Sequence, residues 1–174
     1  MLTWDEEKLP RLHYPLPGEP RIAVLGLAVR GGAGIRCFPK WTCHQIMRAR
    51  PEALAGPLAD LLEVARLRDG GYLPGLDIQL PLVVFSSLGS GVMTGGERTA
   101  LWHAYGLPFF EQVRDREGRL LAYECEARQG FHFVGEETGR GLPRPQRCAC
   151  GLAAPARKAV FERTRFAEQA MTGR

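Results

Sequence analysis

Residues 107–132 read Leu107-Pro-Phe-Phe-Glu-Gln-Val-Arg-Asp115-Arg-Glu-Gly118-Arg-Leu-Leu-Ala-Tyr-Glu-Cys125-Glu-Ala-Arg-Gln-Gly130-Phe-His132. The apolar stretch from Leu107 to Val113 predicts a strand. Asp115 to Gly118 is a turn signal, and Arg119 to Glu124 predicts the next strand. A turn this short cannot hold a crossover, so the pair must be antiparallel. Gly130 then permits a tight turn into a second short run, Phe131-His132-Phe133. That hairpin would bring Cys125 and His132 together.

Working outward, fifteen residues after His132 the chain reads Cys148-Ala-Cys150-Gly151. Three thiols and one imidazole are a complete ligand set for one tetrahedral zinc. Gly151 frees the backbone to turn behind the thiolates. The competing reading makes Cys125 a small core residue and His132 an ordinary sheet residue. Cys37 and Cys43 are reserve ligands in a loop entering a helix over 43–50. Paired with Cys148 and Cys150 they would form an alternative four-cysteine site. Four protein ligands leave no open position, so either site predicts a structural ion.

Upstream, Arg21 to Val29 predicts a first strand ended by Gly31-Gly-Ala-Gly34. The glycines do not follow the dinucleotide-binding spacing. Leu54, Leu58, Leu61, Leu62 and Ala65 recur at helical spacing, so residues 51–68 predict a helix, with Pro57 able to delay its start. Leu80 to Phe85 is a continuous apolar run that predicts a buried strand. Thr94 and Glu97 have capping-box spacing and predict a helix over 97–105 that ends at Gly106. A basic helix is expected over 155–171. The fold class is therefore α/β: a small mixed sheet with flanking helices and an antiparallel hairpin carrying a zinc knuckle. Residues 1–20, with Pro10, Pro15, Pro17 and Pro20, read as an extended arm. Residues 21–174 read as one domain, with a zinc-binding segment at 119–151.

The chain has 174 residues, 45% hydrophobic and 24% charged, as an ordinary globular domain has. Its net charge is +4, and the excess sits in residues 139–174. There eight Arg and Lys face only Glu162 and Glu168. Such an end suits nucleic acid or another acidic partner, but it holds no basic run regularly interleaved with aromatics, so a solvated helix face is favoured. The start, Met1-Leu-Thr-Trp-Asp5-Glu-Glu7, is acidic and does not read as a signal peptide. No apolar run approaches membrane-spanning length. A reducing cytoplasm is the expected compartment, where clustered cysteines favour metal over disulfides. A serine at 86, 87 or 90 with His103 or His132 would be a hydrolase reading, but no nucleophile-elbow motif supports it.

Residues 92–132 resemble part of the adenylate-forming ligases, in their phenylacetate–coenzyme A ligase-like branch. Met93-Thr-Gly95-Gly96-Glu97 resembles the segment that contacts adenine, so the resemblance assigns Gly95, Gly96 and Glu97 to a nucleotide-like loop. Tyr105-Gly-Leu-Pro-Phe109 resembles the helix-to-strand step that follows. Glu124-Cys-Glu-Ala-Arg-Gln-Gly-Phe-His132 and Cys148-Ala-Cys150-Gly151 resemble segments that can hold a zinc in that branch. The carry-over selects Cys125, His132, Cys148 and Cys150, the same four as the spacing. Three departures bear on activity. Ser86-Ser-Leu-Gly-Ser-Gly91 has the glycines of a phosphate loop but no lysine after them. Phe110-Glu-Gln-Val-Arg-Asp115 stands where the family's Tyr-Gly-x-Thr/Ser-Glu motif should follow. A mobile C-terminal lid has no room. The resemblance thus implies a zinc-stabilised, ligase-derived binding or scaffolding module, with no catalytic residues and no adenylating activity of its own. Its partner would be a protein or a small acyl or nucleotide ligand. The alternatives are a partial acyl- or aryl-CoA ligase acting with another subunit, and a zinc nucleic-acid-binding protein.

Overall fold

The structure is a computed structural model that describes residues 9–87, 89–128, 130–134 and 148–150. The expected helix 155–171 and residues 1–8 lie outside the described residues. Seven strands form one sheet, in the order β2-β1-β3-β4-β5-β6-β7. They are β1 (Ile22–Leu25), β2 (Ile35–Phe38), β3 (Ala53–Pro57), β4 (Leu82–Ser87), β5 (Phe109–Arg114), β6 (Leu120–Glu124) and β7 (Phe131–Phe133). The first five run parallel. β6 and β7 are antiparallel additions at one edge. Three helices complete the described fold: α1 (Cys43–Ala49), α2 (Leu58–Asp69) and α3 (Gly95–Tyr105).

Alternation along the strands separates two cores, because successive side chains point to opposite faces. Ala23, Leu25, Leu54, Leu82, Val84 and Phe109 pack with Ile46 of α1, Leu61 and Val64 of α2 and Leu101 of α3. Ile22, Val24, Ala53, Ala55 and Val83 face the other way and are covered by Leu12 and Val29. So one face carries helices, and the N-terminal segment covers the other. That segment is fixed by backbone bonds: Leu12 N donates to Arg30 O and Arg30 N to Pro10 O. Tyr14 Oη donates to Pro81 O at 3.1 Å.

Arg114 also secures the segment. Its guanidinium is buried and donates to the carbonyls of Gly118 and Arg11 and to Gln112 Oε1. It stacks over Phe85 at 4.3 Å. No ion pair to it appears among the described residues, and burial pushes its pKa down to about 10. It stays protonated at neutral pH and is compensated by carbonyl dipoles and an aromatic face.

Residues 51–68 are a correction. The helix begins at Leu58, and Ala53–Pro57 is a central strand. The leucine spacing across 54–62 joins a residue of β3 to residues of α2. Tertiary pairing overrides the helix preference of Ala53-Leu-Ala55, because β1 and β4 satisfy both edges of this short segment. Gly56 is required there: a Cβ at that position would meet Leu25 Cβ at 3.0 Å and Leu25 O at 3.1 Å. Pro57 has no N–H for the ladder, so it suits the junction of strand and helix.

Smaller shifts have local causes. The first strand stops at Leu25 because Gly26 turns the chain at φ 70. Cys37, expected in a loop, lies on β2. α3 starts at Gly95, two residues early, because Thr94 is its N-cap. The capping box is made in full, and Gly106 closes the helix at φ 64. The 107–124 hairpin is antiparallel as the turn length required, with a bulge at Val113/Arg114.

Candidate metal centre and the buried carboxylate network

The turn after β6 sets the first ligand. Arg128 N donates to Cys125 O at 3.0 Å, and Arg128 adopts φ 50. Gly130 follows at φ 145, a conformation that favours glycine. The chain then re-enters the sheet as β7, with Tyr123 opposite His132 and Glu124 opposite Phe131. Cys148 and Cys150 return to this edge.

The ligand atoms of Cys125, His132, Cys148 and Cys150 all lie within 4.8 Å of one another. Cys125 Sγ is 3.6 Å from Cys148 Sγ, and Cys150 Sγ is 3.4 Å from His132 Nε2. A tetrahedral ion with metal–sulfur bonds near 2.3 Å and metal–nitrogen bonds near 2.05 Å needs S···S of about 3.8 Å and S···N of about 3.5 Å. These two spacings match a tetrahedral ion, and the remaining ones are close enough for the cluster to hold one. Three of the four residues are buried and Cys150 is half-buried, as suits a closed structural site.

Burial pushes the Cys125 thiol up to about 12. Backbone N–H groups, Cys150's first, hold Cys148 below the usual thiol range. Binding must displace the Cys125 proton, so metal affinity falls as pH falls. The reserve four-cysteine set is not assembled. Cys37 lies on β2, at the opposite edge of the sheet from β7. Five strand spacings separate β2 from β6, roughly 24 Å. Cys37 Sγ instead bonds the backbone of Val29. Cys43 is the first residue of α1, where it packs against the helix-side core.

Aromatic rings join the cluster to the N-terminal segment. Tyr123 lies 5.5 Å from His132 and 4.0 Å from His13, centroid to centroid. Burial, then the Arg11 guanidinium, hold the His13 imidazole below its ordinary 6.5. The neutral ring is therefore the form that packs. Its contribution to stability is present above pH 6.5 and lost as pH falls through that value toward the folded one. In thermal melts between pH 7.5 and 5, His13→Gln should show a shallower acid loss than the unaltered protein. Equal slopes would mean that the ring stack does not depend on His13 charge.

A second polar centre lies on the helix side of the sheet. Glu111, fully buried on β5, accepts bonds from Ser86 Oγ at 2.5 Å, Met93 N at 2.6 Å and Arg98 Nη2 at 2.7 Å. Arg98 Nη2 also donates to Glu124 Oε1 at 2.6 Å, and Glu111 N donates to Glu124 Oε2 at 3.0 Å. Both carboxylates are thus satisfied inside the chain, while Arg98 Nε is buried with no hydrogen-bond partner among the described residues. Sequence reading passed over this network. Its one visible signal was a charged residue inside the apolar run Phe109-Phe110-Glu111.

Gly95, Gly96 and Glu97 are exposed at the start of α3. Glu97 accepts from Thr94 N at 2.6 Å and Thr94 Oγ1 at 2.8 Å, so its carboxylate serves the cap. In the glycine loop after β4, Ser87 and Ser90 hydroxyls bond each other at 2.8 Å and Gly91 N donates to Ser87 O. An open cleft of about 730 Å³ lies elsewhere, between the N-terminal segment and β6, lined by Leu12, His13, Leu120 and Tyr123 among others. The serines of the hydrolase reading bond other groups, Ser86 a carboxylate and Ser87 and Ser90 each other. Ser86 is engaged by Glu111, and His103 is exposed on α3.

No family profile and no curated protein matches the chain. Among solved structures it is similar to an open conformation of 2-hydroxyisobutyryl-CoA ligase in complex with 2-HIB-AMP and CoA. The TM-score is 0.50 at 15% identity, over 76% of this chain and 36% of that one. The likeness is one of fold, a distant ligase-like α/β architecture. The chain spans about a third of that neighbour's length. No helix among the described residues is long and apolar enough to cross a membrane.

Proposed function

We propose that this chain is a zinc-stabilised binding or scaffolding module on a ligase-derived fold, and that it does not adenylate a substrate by itself. The observation that carries the reading is the convergence of Cys125, His132, Cys148 and Cys150 into one set of four donors. Closed sites of three thiolates and one imidazole are a standard structural zinc set and leave no position for water or substrate. Zinc would supply a cross-link here, tying the β6–β7 turn to the segment that returns at Cys148. The phenylacetate–CoA ligase-like branch is the relationship that best fits the Cys–His and Cys-x-Cys segments.

Absence of turnover follows from how the chain uses its polar groups. The Gly91 loop is followed by Val92, so no lysine supplies charge to a transferring phosphoryl group. Glu111 is held by Ser86, Met93 and Arg98, and Glu97 by its own cap. ATP–pyrophosphate exchange with a panel of acyl and aryl acids should give no signal above the enzyme-free control. Turnover that is lost in Glu97→Ala but kept in Thr94→Ala would overturn this, because both variants damage the cap and only one removes the carboxylate.

The ligase-like fold also suits a second reading, a component that acts with another subunit. Exchange activity appearing only on addition of a partner chain would select it. The partner, whether protein or small acyl or nucleotide ligand, belongs to this proposal. A nucleic-acid partner has only the basic charge of 139–174 behind it.

A further inference from the structure

We infer that Cys125 and Cys148 are a reversible disulfide pair that takes over the structural role of the metal when the ion leaves. The trigger rests on the metal reading above; the bond rests on geometry alone. The two sulfurs are 3.6 Å apart. A disulfide is about 2.05 Å long, so an approach of roughly 1.5 Å closes the pair. Both residues are buried, at 2% and 3% exposure. They belong to different segments, 23 residues apart in sequence. Cys148 and Cys150 have one residue between them, and a bond there would close a small, strained ring that links nothing else. Cys150 Sγ lies 3.4 Å from His132 Nε2 and also meets both other thiols, so it is the sulfur through which exchange can pass.

The co-reactant is a peroxide. A thiolate attacks one peroxide oxygen: the S–O bond forms, the O–O bond breaks, and the departing hydroxide takes a proton. The products are a sulfenic acid and water. A second thiolate attacks that sulfur; the S–S bond forms, the S–O bond breaks, and hydroxide leaves with the second proton. Each sulfur gives up one electron, and one peroxide becomes two waters. A bound ion loses two ligands and departs as the dication. Cys150 is the half-buried member, so the oxidant meets it first. Exchange among the three sulfurs then carries the bond to Cys125 and Cys148.

The new bond joins the same two segments that the ion joins. Oxidation would therefore release metal without releasing the return of the chain at Cys148. The reduced, metal-free protein has neither link.

The experiment treats metal-loaded protein with hydrogen peroxide and follows it by non-reducing peptide mapping, a chromogenic chelator and thermal melting. The expected result is one Cys125–Cys148 disulfide and one equivalent of metal released per chain. The oxidised melt should lie close to that of the loaded protein and above that of the reduced metal-free form, and dithiothreitol should reverse the bond. Cys150→Ser should still form the bond, more slowly. A Cys148–Cys150 or Cys125–Cys150 bond as the end product, sulfinic acid at these positions, or an oxidised melt as low as the reduced metal-free one would overturn the inference. Reduced protein stripped with chelator is treated in parallel. A Cys125–Cys148 bond there, in a chain whose purified and zinc-refolded forms both prove free of metal by elemental analysis, would sustain the pair and defeat the metal reading. Bound metal with no such bond would do the reverse.

Discussion

Cys148→Ser should leave the protein without its metal and lower its melting temperature on the order of 10 °C. The residue is buried beside Cys125 and holds one corner of the donor set. A serine hydroxyl does not replace a thiolate at a thiolate-rich site. A structural zinc contributes several kcal/mol to folding, and about 1 kcal/mol moves the melt of a domain this size by roughly 2–4 °C. The loss should be local. Amide exchange should rise in β6, β7 and the turn between them, while β1, β3 and α2, packed in cores apart from the Val92, Val113, Ala122 and Phe131 cluster at that edge, keep their protection. Elemental analysis with exchange mapping checks both parts. Retained stoichiometric metal, or an unchanged melt, would show that Cys148 is a core residue only.

Arg98→Met should cost about 3–5 kcal/mol, which is the usual penalty for removing one partner from a buried ion pair. Arg98 bridges Glu111 and Glu124, whose side chains are 0% and 11% exposed. Glu124, and then Glu111, outweigh the burial that would otherwise pull the guanidinium down, so its pKa lies above the ordinary value. Without it, two carboxylates face each other across adjacent strands with no cation between them. Glu111→Gln in the Arg98→Met background should recover part of the loss, since it removes one stranded charge and keeps acceptors for Ser86 and Met93. Denaturant unfolding of the two variants measures this. A cost under about 1 kcal/mol for Arg98→Met would place the pair among ordinary surface bridges.

The two predictions differ in how visible their residues were. The Cys/His cluster was legible because its residues carry their chemistry in their type, and a glycine-bearing turn brings Cys125 and His132 together within eight residues. The Asp115–Gly118 turn and the Thr94/Glu97 cap were legible for the same reason, since each is a local geometry with a local signature. β3 was not. Ala53-Leu-Ala-Gly-Pro57 has no strand signature of its own, and the pairing with β1 and β4 that makes it a strand is non-local. The Glu111–Arg98–Glu124 network was equally hidden, because its members lie on three elements and meet only when α3 packs against β5 and β6. The cover that Leu12 and His13 provide depends on Arg114 bonds across 103 residues, which no window of sequence displays.

X-ray absorption at the zinc edge of the purified chain tests the central claim most directly. The account predicts one zinc per chain with three sulfur neighbours near 2.3 Å and one imidazole nitrogen near 2.0 Å. Cys37→Ser should leave that spectrum unchanged. A shell of oxygen and nitrogen alone, four sulfurs, or a chain that binds no metal when refolded with zinc would contradict it.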